Sequence, residues 1–366
     1  MYSEIIDKFL IYGDFIKAER FGNGHINDTF LVTFNQAGID TKYILRKVNK
    51  YVFTSPKNVI ENTINVIKDI SIKIQNEGDA NLTTKVQTLI KTRNNSYHFV
   101  DENKDFWMMT LFLEDSFTVD YVRTTRQAYL AAREFGKFQK YLLDTDVKKY
   151  KAAIKDFHSP SKRLQKLENI VKEDSKRRAS NSVQEIDKIF SYQYLLKRFP
   201  NNLPVRITHN DTKINNILFD RRTKNTLCII DLDTVMPGTV IYDFGDMIRT
   251  MTSPVAEDEK EISKVYMRFK YFEAIIKGYL EILGNHLVPI EIDNLILGAQ
   301  LIIYEQSIRF LSDYLAGDQY YHIHYKKHNL VRARNQLALL ESVNSQETQM
   351  IKLLNEYLSK LKVNTK

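Results

Sequence analysis

Between Thr208 and Arg249 the chain sets polar, metal-binding side chains at fixed intervals around two short apolar runs. His209, Asp211 and Asn216 come first, in the order His-x-Asp-x-x-x-x-Asn, and the run Ile217-Leu218-Phe219 follows. Asp220 to Asn225 is rich in turn-forming residues. A second apolar run, Leu227-Cys228-Ile229-Ile230, ends in Asp231-Leu232-Asp233. Two such runs joined by a short turn predict a hairpin. A hairpin brings its open ends side by side, so Asn216 and Asp231 are expected to be neighbours. A carboxylate and an amide carbonyl are hard oxygen donors suited to Mg²⁺. Asp211, close by but off the metal, is placed to take a proton from an attacking hydroxyl. A loop base, a loop Asn and a strand-end Asp are the working parts of a phosphoryl-transfer site. Lys213, two residues past the base, supplies a point charge for the transferring group. Asp233 is a candidate for holding a metal water or an acceptor hydroxyl, and His209 reads as support for the loop.

A second acidic motif competes for the metal role. Asp243-Phe244-Gly245 spells the metal motif of protein kinases, but Asp243 lies 27 residues beyond Asn216, whereas Asp231 lies 15 beyond and ends a strand. The metal therefore goes to Asp231. Asp243 is expected to be structural, bonding backbone amides near the catalytic loop.

The spacing HxDxxxxN with a strand-end Asp resembles the aminoglycoside-phosphotransferase and choline-kinase-like small-molecule kinases. The fuller strings HNDTKINN, IDLDTVMPG and DFGDMIR are similar to those of the N-acetylhexosamine 1-kinases. That resemblance implies an α+β, protein-kinase-like two-lobed fold. Its small β-rich nucleotide-binding lobe would span residues 1–113, and a larger, mainly helical catalytic and substrate-binding lobe residues 114–366. It also implies ATP and Mg²⁺, and transfer of phosphate to the anomeric hydroxyl of GlcNAc or GalNAc. The alternatives are a kinase of another small alcohol (choline, an amino acid, an aminoglycoside or another sugar) or a non-catalytic nucleotide-binding homologue.

The remaining elements must position these groups. Ile5, Ile6, Phe9 and Leu10 fall at helical spacing and predict a short amphipathic helix over residues 1 to about 17. Phe21 to Phe30 then reads either as a plain turn or as a small-residue loop over phosphates. The resemblance assigns Gly24, His25, Asn27 and Thr29 to a GxGHxNxT nucleotide loop. Tyr43 to Val48 reads as a strand, on which parity lets only one of Arg46 and Lys47 face the phosphates. The hexosamine kinases usually carry LQRxN here, this chain has LRKVN, and the resemblance favours Arg46. Glu61, in the helical stretch 58–69, is either its counter-ion or a solvated side chain. Further strands are expected over 85–92, 97–100 and 106–113, with Leu113 in a hinge whose backbone would meet adenine.

From about Asp120 the periodicity is helical. Helices are expected around 129–142, in two pieces over 160–199, and over 257–283, 290–315 and 329–361. Phe157-His158 matches a Phe-His pair of the hexosamine kinases, with His158 read as structural. Residues 309–321 and 329–336 resemble the region that lines their sugar pocket. By that match Arg309 and Tyr320 are candidate sugar contacts, Tyr320 having core packing as its other reading. Gln306-Ser307 stands where those kinases have Cys-Gly, which points to a different sugar preference.

Composition bounds the rest. A chain of 366 residues is long enough for a full core. The single cysteine, Cys228, excludes an internal disulfide, suits a reducing cytoplasm and sits in an apolar run as a core residue. No apolar stretch reads as a leader or a membrane span. The net charge of +8 comes from scattered Lys and Arg with no nucleic-acid-binding pattern, so a solvated surface is expected. None of these motifs encodes an oligomeric state.

Overall fold

A computed structural model of the chain describes residues 2–22, 27–78 and 81–364. Contacts divide it into two compact units. The first comprises Met1–Thr118, Tyr141–Lys155 and Ile217–Pro237, and the second Val119–Lys140, Asp156–Asn216 and Gly238–Lys366. The whole is an α+β, protein-kinase-like fold, with a strand-rich N-terminal region and a larger helical C-terminal part.

The first unit is built on a five-stranded antiparallel sheet. Its strands are β1 (Asp14–Arg20), β2 (Asp28–Gln36), β3 (Ile39–Val48), β4 (Phe99–Val100) and β5 (Phe106–Leu111), in the order β1-β2-β3-β5-β4. Alternate apolar residues of these strands bury Phe30, Val32, Phe34, Tyr43, Leu45, Trp107 and Met109 in one core. β6 (Ser116–Phe117) opens a second antiparallel sheet, described with its partners below.

Two expectations fail here. The N-terminal helix is a single turn, α1 (Ser3–Ile6), and the next residues become β1. Gly13 between them has φ +105°, and a Cβ there would lie 2.2 Å from the Asn35 carbonyl oxygen, so the chain turns rather than coils. Ile6 and Phe9 still pack in the core, which accounts for their apolar character. The strand expected over 85–92 is also absent. A helical turn ends at Lys85, and the segment after it makes two isolated bridges, Leu89 to Thr110 and Thr92 to Phe9.

The helices of this region are α2 (Pro56–Asn76) and α3 (Leu82–Lys85). α2 carries Asn62 on its apolar face, fully buried. Its amide donates to the carbonyls of Lys151 (2.7 Å) and Val235 (2.8 Å) and accepts from the Lys151 N–H (3.1 Å). It thereby ties the turn after Asp233 to the helix. Asn62 was not singled out in the sequence. Asn58 and Asn65, one turn to either side, donate to the carbonyls of Ala152 and Lys149, so a stripe of amides at helical spacing is the signal that marks this clamp.

The second unit holds α4 (Thr125–Tyr141), whose residues to Lys140 belong to it, and α5 (Pro160–Glu173), α6 (Val183–Ser191) and α7 (Tyr194–Lys197). The short strand β7 (Arg206–Thr208) follows, then α8 (Val240–Met251), α9 (Phe269–Leu283), α10 (Pro289–Asp293), α11 (Leu295–Ala316), α12 (His328–Ser345) and α13 (Glu347–Asn364). α11 is buried along nearly its whole length and packs on α5, α8 and α12.

The last three helical predictions run across breaks. Residues 257–268 hold only a 3₁₀ turn, Ile262–Lys264, and the Arg268 guanidinium just before α9 donates to the carbonyls of Thr252 and Ser253. Asn294 separates α10 from α11, and Gln346 separates α12 from α13. No helix among the described residues is long and apolar enough to cross a membrane.

Candidate active site

In the second unit, β7 delivers Thr208 and His209 to the centre of the fold, both fully buried. The His209 ring lies edge-on against Phe135 (5.5 Å) and Phe138 (5.6 Å) of α4. Its Nδ1 accepts the backbone N–H of Asp211 at 3.3 Å. His209 thus supports the loop, as its sequence context suggested.

Asp243, on α8, closes this loop. Its carboxylate accepts the backbone N–H groups of His209 (2.8 Å) and Asn210 (2.7 Å), while its carbonyl accepts the Thr212 hydroxyl (2.6 Å). The structural reading of Asp243 is therefore correct. Burial pushes its carboxyl up to about 7, against the downward pull of the two amide donors. Asp243→Ala leaves both donors buried without an acceptor. At about 1–3 kcal/mol for each orphaned group, the variant is expected to unfold at markedly lower urea concentration than the wild type, measured by circular dichroism.

The loop presents Asp211 between two partners. Lys213 Nζ lies 2.8 Å from its Oδ1, and the Asn216 amide donates to its Oδ2 (3.0 Å) and its carbonyl (2.8 Å). Burial acts to raise the Asp211 carboxyl, but Lys213, His209 and Asn216 outweigh it and hold it below the usual carboxylate range. Asp211 holds Lys213 above the usual lysine range. A proton acceptor is thus kept ionised in a partly enclosed position. Asn216 uses its NH₂ on Asp211, which leaves its Oδ1 as the acceptor end suited to a cation.

In the first unit, β8 (Ile217–Asp220) and β9 (Thr226–Ile229) form the hairpin, with Ile217 opposite Ile229, and β6 adds a third strand beside β8. Cys228 is a fully buried core residue of β9. Asp231 takes left-handed backbone at φ +59° just past β9, and its side chain is 48% exposed. On β3 the two basic residues part as parity requires. Arg46 Nη2 lies 2.6 Å from Asp233 and its Nη1 3.6 Å from Asp231. Lys47 faces the other way, to Asp28 (3.0 Å) and Asp105 (3.7 Å), over the Trp107 ring.

Glu61, one candidate counter-ion for Arg46, instead lies 3.7 Å from Lys57 and 3.1 Å from Lys151. Asn27 donates to Asp233, and Thr29 pairs with Arg46 across β2 and β3. Leu113 follows β5, its carbonyl accepting the Ser116 hydroxyl at 2.6 Å. Gly24 and His25 lie outside the described residues.

Farther along the second unit, Arg309 of α11 lies 5.6 Å from the Phe157 and Tyr321 rings and 5.9 Å from Tyr320. Gln306 accepts from Arg309 (3.1 Å) and donates to the Tyr321 hydroxyl (3.2 Å). Tyr320 is 56% exposed, so core packing does not describe it. Asp313, which the sequence reading passed over, accepts the backbone N–H groups of Gln319, Tyr320 and Tyr321 at 2.8–2.9 Å. A buried Asp at the end of an apolar helix, just before a Gly-Asp turn, is the signal that could have found it. His158 stacks on Tyr242 at 4.8 Å and lies 3.7 Å from the buried Glu305, a structural setting. Arg249, paired with Asp246 at 2.7 Å, acts electrostatically on both Lys213 and Arg309.

Against known proteins, residues 104–264 match the model of the APH family, described as a phosphotransferase enzyme family. That match covers less than half of the chain. Solved structures agree in fold at low identity. A microcompartment-associated aminopropanol kinase is 13% identical, with a TM-score of 0.59 over 95% of this chain and 97% of that one. A spectinomycin phosphotransferase bound to ADP and its antibiotic is 12% identical, with a TM-score of 0.54 over 90% and 92%. A choline kinase from Cryptosporidium parvum is 15% identical, with a TM-score of 0.54 over 97% and 99%.

This phosphotransferase family implies a nucleotide and a divalent metal. Among the described residues no group of three or more His, Cys, Asp or Glu side chains is placed to hold a metal ion. A phosphotransferase needs fewer protein ligands, because Mg²⁺ keeps waters and takes substrate phosphates. The half-exposed Asp231 carboxylate is a hard oxygen donor of the kind such an ion takes.

Proposed function

We propose that the chain is an ATP-dependent kinase that phosphorylates the anomeric hydroxyl of an N-acetylhexosamine, GlcNAc or GalNAc. The observation that carries this is the Asp211 carboxylate, held ionised by Lys213 and Asn216 on a loop whose amides are pinned by Asp243. Asp211 orients the acceptor hydroxyl and takes its proton as the oxygen bonds to the γ-phosphorus. The bond from that phosphorus to the bridging oxygen breaks, and ADP departs. Lys213 lies beside the base as a charge for the transferring group. Mg²⁺, held by Asn216 and Asp231, would offset the negative charge of the phosphates. Arg46 would contact the phosphates, the loop of Gly24, His25, Asn27 and Thr29 would cover them, and the backbone at Leu113 would meet adenine. The reading places these steps in the cytoplasm, with nucleotide and sugar as substrates and without nucleic acid or membrane.

The sugar reading draws support from Arg309, Tyr320 and their neighbours. A guanidinium among aromatic rings offers donors to hydroxyl and acetamide oxygens, and faces on which a pyranose can stack. The same guanidinium disfavours a second reading, a kinase of choline or an amino alcohol, whose ammonium group would meet a like charge. A coupled ADP-release screen with GlcNAc, GalNAc, glucose, choline and kanamycin tests it. Turnover confined to the N-acetylhexosamines, with phosphorus NMR showing a 1-phosphate, is the expected result. Turnover of choline or kanamycin alone would sink the sugar assignment.

The pairing of base and lysine also predicts a pH effect. The acid limb of kcat/KM reports Asp211 in the free enzyme and lies below the ordinary carboxylate range, since only the ionised form accepts the proton. Lys213→Met removes the leading charge that lowers this carboxyl and leaves the burial that raises it. The acid limb is expected to move to higher pH. A limb that stays in place, or moves down, removes Lys213 as the cause.

A further inference from the structure

Asp233 carries bonds that its sequence position did not announce. It is 2% exposed, next to the half-exposed Asp231. One carboxylate oxygen lies 2.6 Å from Arg46 Nη2, and the other accepts from the Asn27 amide. That amide is itself oriented, because its Oδ1 accepts the Asn49 N–H at 2.9 Å. The second arm of Arg46, Nη1, faces Asp231 at the looser distance of 3.6 Å. One oxygen of Asp233 thus accepts from Asn27 and the other faces the Arg46 charge as a close ion pair without a hydrogen bond, whereas the contact of Arg46 with Asp231 is longer.

We propose that Asp233 is a positioning residue for the nucleotide, not an acceptor contact. It grips one arm of the Arg46 fork so that the other arm is offered to the ATP phosphates. The proposal rests on the kinase reading given above. Its physical basis is the planarity of the guanidinium: fixing one terminal nitrogen fixes the plane of all its donors. A free arginine would lose rotamer entropy on being ordered by phosphate. One already clamped has lost much of it.

Protein kinases hold their phosphate cation with a glutamate from a helix. Here the corresponding helix turns Glu61 to Lys57 and Lys151, and the counter-ion comes from the turn that carries Asp231. When Asp231 takes up metal and releases Nη1, the buried pair is screened little by solvent and keeps Arg46 in place. Asn27 joins the same carboxylate.

The test is calorimetry of ATP binding with no acceptor present, together with KM for both substrates. Asp233→Asn is isosteric and removes only the charge. Its ATP dissociation constant and KM should rise about tenfold or more, as when one partner of a buried pair is lost, while acceptor KM changes less than twofold. In the double variant with Arg46→Gln, ATP affinity should be no worse than in the weaker single variant. Acceptor KM rising with ATP affinity unchanged would return Asp233 to the acceptor and overturn the proposal. Fully additive losses in the double variant would also overturn it. Should Asp233→Asn not fold, Arg46→Lys keeps the buried charge and loses only the fork. Unchanged ATP affinity in that variant overturns the proposal as well. Wild-type protein that binds no ATP would instead refute the kinase reading.

Discussion

Asp211→Asn is expected to lower turnover by about 10²–10⁴-fold, the usual contribution of a positioned base, or roughly 3–5 kcal/mol of barrier. The substitution keeps the shape of the side chain and its room beside Asn216, so KM for both substrates should change little. It removes the charge of the carboxylate that Lys213 pairs with at 2.8 Å. Single-turnover measurement of ADP formation separates the chemical step from release of product. Near-normal turnover in this variant would dismiss Asp211 as the base. A loss confined to ATP affinity would move it to the nucleotide.

Gly298→Ala is expected to be the most damaging conservative change in the second unit. A Cβ on Gly298 of α11 would lie 2.1 Å from the Ile241 carbonyl oxygen of α8, and one on Gly245 would lie 2.5 Å from the Gly298 carbonyl oxygen. The two helices therefore cross backbone to backbone, with no flexible side chain able to yield. Alanine is worth about 1 kcal/mol over glycine in a helix interior, but separating these helices is expected to cost about 3 kcal/mol, the upper part of the overpacking range. At roughly 2–4 °C per kcal/mol for a domain of this size, the midpoint of thermal unfolding should fall by about 5 °C or more. Gly136→Ala is the control. Its Cβ would meet the Ile282 Cβ at 3.2 Å and the Tyr279 carbonyl oxygen at 3.4 Å, contacts that a small shift relieves, and stability should fall much less than in Gly298→Ala. Equal midpoints for the two variants would show that the crossing has slack.

The same pair of glycines gives the Asp243-Phe244-Gly245 string its meaning here. Asp243 holds the loop amides, Phe244 is fully buried, and Gly245 admits α11. None of the three binds a metal in this reading, although the letters match a metal motif. Spacing separated the two possibilities before any coordinate did, because a hairpin of this length can bring only Asp231 back to its own start.

What the sequence determined by itself was local. The hairpin, its turn and the parity of Arg46 and Lys47 depend on residues within a few positions of one another, where chain connectivity alone restricts the geometry. The proposed motif was legible for the same reason: His209 to Asn216 spans eight residues, and Asp231 follows the second strand of the hairpin. The tertiary structure decided everything that joins distant segments. Arg46 finds Asp233 rather than Glu61, Asn62 reaches Val235, Asp313 orders the loop after α11, and Gly298 meets Ile241. The N-terminal apolar residues looked helical because packing against the sheet demands the same spacing of apolar side chains as a helix face. Only the position of Gly13 against Asn35 shows that the backbone turns there. Partner choice among several nearby charges is set by burial and by the direction of neighbouring elements. Neither is a property of the residues taken in order.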